Sequence, residues 1–190
     1  MKKYVFASTK LLIFVILYLF TNSVNADERI SILKIVGKVQ ISSDMKNWVI
    51  VKKPQKIENK TWLKTGKSAS VVLVLPDRTQ TKVTRNSKLF LEKKPKKKQS
   101  INLKLGKIWS KTNKIPVKIS LKSPNAVASI RGTEWVSEVK PDGSSTIALL
   151  EGKISLVSKT KKKIDINSGS VASIDKKGSV SQTKIISTGK

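Results

Sequence analysis

The sequence predicts an all-β fold, a sandwich or closed β architecture of many short antiparallel strands. Three observations carry this. Short runs alternate, as in "VKISLK" (Val117–Lys122), where Val117, Ile119 and Leu121 face one way and Lys118, Ser120 and Lys122 the other. Turn residues separate the runs at a spacing of roughly 8–12 residues. No window shows sustained helical periodicity.

The elements follow in order. "SASVVLVL" (Ser68–Leu75) is an apolar, β-branched run suited to a central strand. "KLFLE" (Lys88–Glu92), "INLKL" (Ile101–Leu105) and "KISLV" (Lys153–Val157) alternate. Between them sit Pro76-Asp77, Gly106, Pro124-Asn125, Pro141-Asp142-Gly143, Glu151-Gly152, Ser168-Gly169 and Lys177-Gly178, all turn chemistry. "EKKPKKKQS" (Glu92–Ser100) is expected to be a solvated loop, because its lysines repel one another and resist burial. The tail from Ser179 is a last strand or a frayed end. Nothing marks a boundary within residues 27–190, which are expected to form one domain.

Residues 1–26 are expected to be removed. Lys2, Lys3 and Lys10 make a basic start, "LLIFVILYLF" (Leu11–Phe20) is uncharged, and Val24 and Ala26 are the small residues a signal peptidase reads. Cleavage is expected after Ala26. The body is then exported, to the periplasm in the first instance, with the outer surface or the medium as alternatives. A membrane contact arises only if this segment stays uncleaved.

Cysteine and histidine are both absent. Their absence removes thiol and imidazole catalysis and ordinary zinc sites. No cofactor or metal is implied. Lys64-Thr65-Gly66 matches a β-lactamase element, and Ser43–Lys46 nominally fits its serine motif, but the spacing and the helical context are wrong. Glu134 and Glu138 would share a strand face, where solvated or lysine-paired side chains are expected rather than acid–base chemistry. Catalysis is therefore not expected.

The formal net charge is +27. It attracts anionic partners or serves solubility. Two lysine clusters are the candidate polyanion sites: Lys93, Lys94, Lys96, Lys97 and Lys98, and Lys159, Lys161, Lys162 and Lys163. Nucleic acid is disfavoured. Single-strand binders stack bases on exposed aromatics, and Trp48, Trp62, Phe90, Trp109 and Trp135 sit in apolar strand contexts that read as core.

The motifs "VGKVQ" with Trp48, "TWLKTGKSASVVLVLPD", "LKLGKIWSK", "SPNAVASIRGTEWVSEV", and "LLEGKISL" with "INSGSVASI" resemble a FecR domain over nearly the whole mature chain. The signature residues are Arg131, Gly132, Thr133, Glu134 and Trp135, with Glu151 and Gly152 opening a later strand. The resemblance implies an antiparallel, jelly-roll-like β-sandwich without enzyme activity. "VASIRGTEW" then reads as a structural junction, with Ala126, Ala128 and Ser129 small for close backbones, Gly132 turning the chain, and a buried Arg131 paired across it. Arg78 stands where the family often has glycine, and is expected to fit a type I turn.

The best-known members relay a signal from an outer-membrane transporter to a cytoplasmic sigma factor. Only ten residues precede the apolar run here, so the anti-sigma segment is not expected. The expected function is a non-enzymatic, exported binding or sensor module of the bacterial envelope that engages a protein partner. The alternative is a basic adhesion or scaffolding protein that holds anionic cell-wall or outer-membrane polymers through its lysine clusters.

Overall fold

The computed structural model describes residues 29–94, 98–112 and 118–184. The expected signal segment and its cleavage point, Lys96, Lys97, Val117 and the Ile185-Ile186 pair lie outside them. The chain forms β1 (Ile30–Val36), β2 (Val39–Ser42), β3 (Val49–Ile50), β4 (Lys56–Ile57) and β5 (Thr61–Thr65). There follow β6 (Ser70–Val74), β7 (Gln80–Val83), β8 (Lys88–Lys94), a long β9 (Lys98–Lys111) and β10 (Lys118–Lys122). Two more long strands, β11 (Ala126–Val139) and β12 (Ser145–Ser158), precede β13 (Lys163–Asn167), β14 (Ser170–Ile174) and β15 (Val180–Lys184). Among the described residues the fold is all-β. One sheet links all fifteen strands, antiparallel except for the parallel pair β9–β10.

Strands β9, β11 and β12 are each 14 residues long. Each changes its inward face midway. In β11, Ala126, Ala128 and Ile130 are buried, and then Thr133, Trp135, Ser137 and Val139. In β12 the buried set shifts from Ser145, Ile147 and Leu149 to Ile154, Leu156 and Ser158. In β9 it shifts from Ile101 and Leu103 to Ile108 and Ser110. Strand side chains alternate with a period of two, so only an extra residue can produce such a shift. A glycine at positive φ stands at each changeover: Gly106 (φ 88), Gly132 (φ 61) and Gly152 (φ 93). The register between β11 and β12 slips there, from Arg131 opposite Lys153 to Glu134 opposite Glu151.

These corners fold the sheet into two layers. One runs β3-β2-β5-β8, then through the first half of β9, β10, the first half of β11, the second half of β12, and β13. The other runs β4-β1-β6-β7, then through the second halves of β9 and β11, the first half of β12, β14 and β15. Asn125 shows how sharply the layers double back. Its Nδ2 donates to the carbonyl of Gly143 at 3.0 Å, although 18 residues separate them. Extended, that stretch would span about 60 Å. One apolar core lies between the layers, with Leu63, Leu89, Leu91, Ile101 and Leu103 from the first and Val71, Leu73, Ile108, Trp135 and Leu149 from the second.

Several expectations change. The strands are not uniformly short, because the three long ones serve both layers. The lysine run is no long loop: β8 and β9 pair up to Lys94 opposite Lys98, since a hairpin needs only a brief tip. The tail is a strand as far as Lys184, paired with β14. Of the four tryptophans only Trp135 is fully buried; the other three lie half-exposed on outer faces. Arg78 does follow a tight turn at Pro76-Asp77, with its N–H donating to the Leu75 carbonyl at 2.8 Å. Its own φ is 65°, however, the left-handed state that glycine holds most readily.

Candidate functional site

The signature residues meet at the β11–β12 corner. Gly152 is pressed against the other strand: a Cβ there would meet Thr133 Cγ2 at 2.6 Å and the Gly132 carbonyl at 2.7 Å. Thr133 is buried, and its backbone clamps Thr112: its N–H donates to Thr112 Oγ1 at 2.6 Å and its carbonyl accepts from the Thr112 N–H at 2.9 Å. Glu134 ties β11 to β9 on the outer face, accepting from Trp109 Nε1 at 3.1 Å and pairing with Lys111 Nζ at 2.8 Å. The Lys111 ammonium holds the Glu134 carboxyl below its ordinary range, with help from Trp109 and against the opposing effect of burial. Glu138 pairs with Lys107 at 3.0 Å, so both glutamates are lysine-paired. Glu151 is exposed at the corner.

Arg131 departs from expectation. It is exposed, and among the described residues its guanidinium has no hydrogen bond or salt bridge. It follows the buried Ile130 in the alternation and precedes the changeover at Gly132, so the pleat turns it to solvent. Ser129 is exposed for the same reason, whereas Ala126 and Ala128 are buried. Arg131→Ala is accordingly expected to change unfolding free energy by no more than about 0.5 kcal/mol, as for an ordinary surface substitution. A denaturant titration checks this; a loss several times larger would restore the buried-network reading.

The two lysine clusters are not brought together. Lys98 lies level with Lys118, while Lys122 lies level with Asn102, Val127 and, one strand on, Val157. The exposed turn carrying Lys159, Lys161, Lys162 and Lys163 is thus at the opposite end of the strands from the β8–β9 tip that carries Lys93, Lys94 and Lys98. Lys163 begins β13 opposite Val157.

A second constellation was not legible as a site. On the outer face of β5 and β8, Trp62 lies opposite Phe90 and Lys64 opposite Lys88. The Trp62 and Phe90 rings are 5.0 Å apart and tilted by 45°. Directly opposed like charges destabilise a sheet, but Trp48 relieves this pair. Its ring lies 3.9 Å from Lys64 Nζ and 5.8 Å from Lys88 Nζ, an electrostatic attraction to the π face.

The loop between β2 and β3 is built to hold Trp48 there. Ser42 Oγ accepts from the Met45 N–H at 2.9 Å and donates to Asp44 Oδ1 at 2.9 Å. Asp44 Oδ1 accepts the N–H groups of Lys46 (2.8 Å) and Asn47 (2.9 Å), and Trp48 Nε1 donates to the Met45 carbonyl at 2.9 Å. The backbone amides of Asn47 and Lys46 hold the Asp44 carboxyl well below the usual carboxylate range. Beside the aromatics lie exposed Met45 (45%) and Ile50 (53%), Ile50 sharing the face of Lys64 through Gln40, which pairs with both. Val49 and Ile50 form β3, which among the described residues pairs only with β2. Aromatics with Ile50 on one face, beside the free border of β3, suit recognition of an extended polypeptide.

The comparisons agree with this architecture. The family model for FecR protein matches residues 61–155, half of the chain. The flanking motifs at "VGKVQ" and "INSGSVASI" fall outside that match. Two crystal structures of a protein from Parabacteroides distasonis, provisionally described as an anti-sigma factor, share the fold with a TM-score of 0.57 at 9% identity. The alignment covers 65% of this chain and 59% of those structures. No curated protein matches the chain. The matched span contains all three glycine corners and every signature residue from Arg131 to Gly152, and the chain belongs to the FecR protein family.

Proposed function

We propose that the chain is a non-enzymatic regulatory or sensor module, exported to the bacterial envelope, that engages a protein partner. The observation that carries the reading is the platform of Trp48, Trp62 and Phe90 beside the open edge of β3. Large aromatics at the centre of a patch provide most binding energy at protein interfaces. Lys64 and Lys88 select a partner segment with acidic residues. Family membership and the fold shared with a provisional anti-sigma factor support a regulatory role over catalysis.

The test is photo-crosslinking in intact cells from a probe at Ile50, with Leu150 as an exposed control. One protein captured from Ile50 and not from Leu150, and lost in Trp62→Ala, supports the reading. The complex should survive an ionic strength at which the Debye length is about 8 Å, since packed contacts are weakly screened. No crosslink at Ile50, or turnover of a small molecule by the purified chain, overturns it.

Asp44→Ala tests the positioning loop. It removes the acceptor of two backbone N–H groups, so Trp48 should leave Lys64. The expected outcome is a shift in tryptophan emission and about a tenfold weaker partner affinity. The unsubstituted loop should hold through mild acid. A depressed folded pKa contributes stability that is present above the unfolded value, near 3.9 for an aspartate. That contribution is lost only as pH falls through the lower folded value, so emission should be unchanged from pH 7 down to about 4.

A further inference from the structure

Away from the aromatic platform, an open cleft of about 800 Å³ lies where the β9 corner meets three turns. Its walls come from the β5–β6 turn, the end of β7 with the turn after it, the Gly106 corner, and the end of β11 with the turn after it. Five cations line it: Lys67, Lys82, Arg85, Lys107 and Lys140. Glu138 is the one acid among the lining residues, and Lys107 already holds it at 3.0 Å. Asp142 lies near Lys140, but its carboxylate is turned onto Ser144, accepting from Oγ at 2.7 Å and from the N–H at 2.9 Å.

Gathering so many like charges around a concave surface is unfavourable in the free protein and attractive to a multivalent anion. The remaining lining narrows the choice. Ser68, Ser70 and Asn86 put hydroxyl and amide groups on the wall, and buried Ala69 and Val139 supply an apolar floor. No aromatic side chain is among the described residues that line the cleft, so they offer no platform for stacking nucleobases. A single phosphate would leave most of the volume empty, because clefts of this size suit ligands of several rings. A chain of pyranose rings fits each feature: charged substituents for the cations, hydroxyls for the serines and asparagine, and C–H faces for the floor.

We propose that this cleft binds a short stretch of an acidic polysaccharide, with its anionic groups on Lys82, Arg85 and Lys140 and its hydroxyls on Ser68, Ser70 and Asn86. Arg85 fixes one anionic group through its forked donors, while the lysines act as point charges. The site stands apart from the protein-binding platform and does not rest on it. It also relocates polyanion recognition from the hairpin-tip lysines to a concave surface, where shape adds to charge.

The test uses the full chain and tetragalacturonate as probe, followed by calorimetry. Two triple variants remove the same charge: Lys82→Gln with Arg85→Gln and Lys140→Gln in the cleft, and Lys159→Gln with Lys161→Gln and Lys162→Gln at the distant turn. The cleft triple should weaken binding by at least about tenfold and the distant triple by less than about twofold. Maltotetraose, which is neutral, should not bind. A thymidine pentanucleotide of equal charge should bind more weakly than tetragalacturonate. Amide hydrogen exchange on the unsubstituted chain should show protection confined to residues 67–70, 82–86, 105–107 and 138–141. Equal losses in both triples, equal affinity for the pentanucleotide, or protection elsewhere would overturn the proposal. Every substituted side chain is exposed, so the fold is retained in both variants.

Discussion

Replacing Gly152 with alanine should destabilise the protein by about 4 kcal/mol, combining left-handed backbone strain with overpacking. The new methyl would sit 2.6 Å from Thr133 Cγ2 and 2.7 Å from the Gly132 carbonyl, and the second of these is backbone that cannot swing aside. Gly106→Ala should behave alike, because its Cβ would lie 2.2 Å from Ser87 Oγ and 2.6 Å from Ser87 Cα. Gly132 is the internal control. It also has positive φ, but among the described residues nothing lies within 4 Å of its Cβ. Gly132→Ala should therefore cost only about 1 kcal/mol, the backbone preference alone. Urea titrations of the three variants rank them. Equal losses at Gly132 and Gly152 would show that the corners are not packed as described.

The second large effect is expected at Asn125. This side chain is 2% exposed and closes the open ends of the two layers. Its Nδ2 donates to the carbonyls of Gly143, Ile174 and Asp175, and its Oδ1 accepts from Ser123 Oγ at 3.0 Å and Ser145 Oγ at 2.8 Å. Asn125→Asp keeps the shape but turns the donor into an acceptor facing carbonyls. The loss at neutral pH should be about 4 kcal/mol, the cost of an unpaired buried charge with stranded partners. The introduced acid would have a raised folded pKa, since burial and carbonyls both oppose ionisation. Its protonated form donates again, so stability should be greatest below the unfolded value, near 3.9, and should fall as pH rises through the folded one. Asn125→Ala lacks this titration and should lose stability evenly across the same range. Matching pH profiles for the two variants would contradict the assignment of the amide as donor.

The periodicity of the sequence made the all-β class legible, because half-buried strands must alternate. The junction around Gly132 was legible as a structural feature, since small residues and glycine mark close backbones. What escaped was its consequence. Ile130 and Trp135 are both buried although they are five residues apart, and an odd separation along one strand already implies a change of face. Arg131 was misplaced because its neighbours suggested burial, whereas the pleat decided its direction. Asn125 reads locally as a turn residue; its partners lie up to 50 residues away in sequence. The aromatic platform was hidden because a tryptophan among strand residues looks the same facing in or out. Only the pairing of β5 with β8, and the loop that lays Trp48 across the lysines, reveal its side.

The long strands shared between layers give the molecule a mechanical character. A pair of sheets joined only by loops can slide or gape when a ligand pulls on one of them. Here three unbroken backbones run from one sheet into the other, and Asn125 fastens their far ends. A force applied at the β3 border would travel through covalent chain and cross-strand hydrogen bonds to the β15 border. Such a body acts as a stiff coupling between whatever holds its two borders.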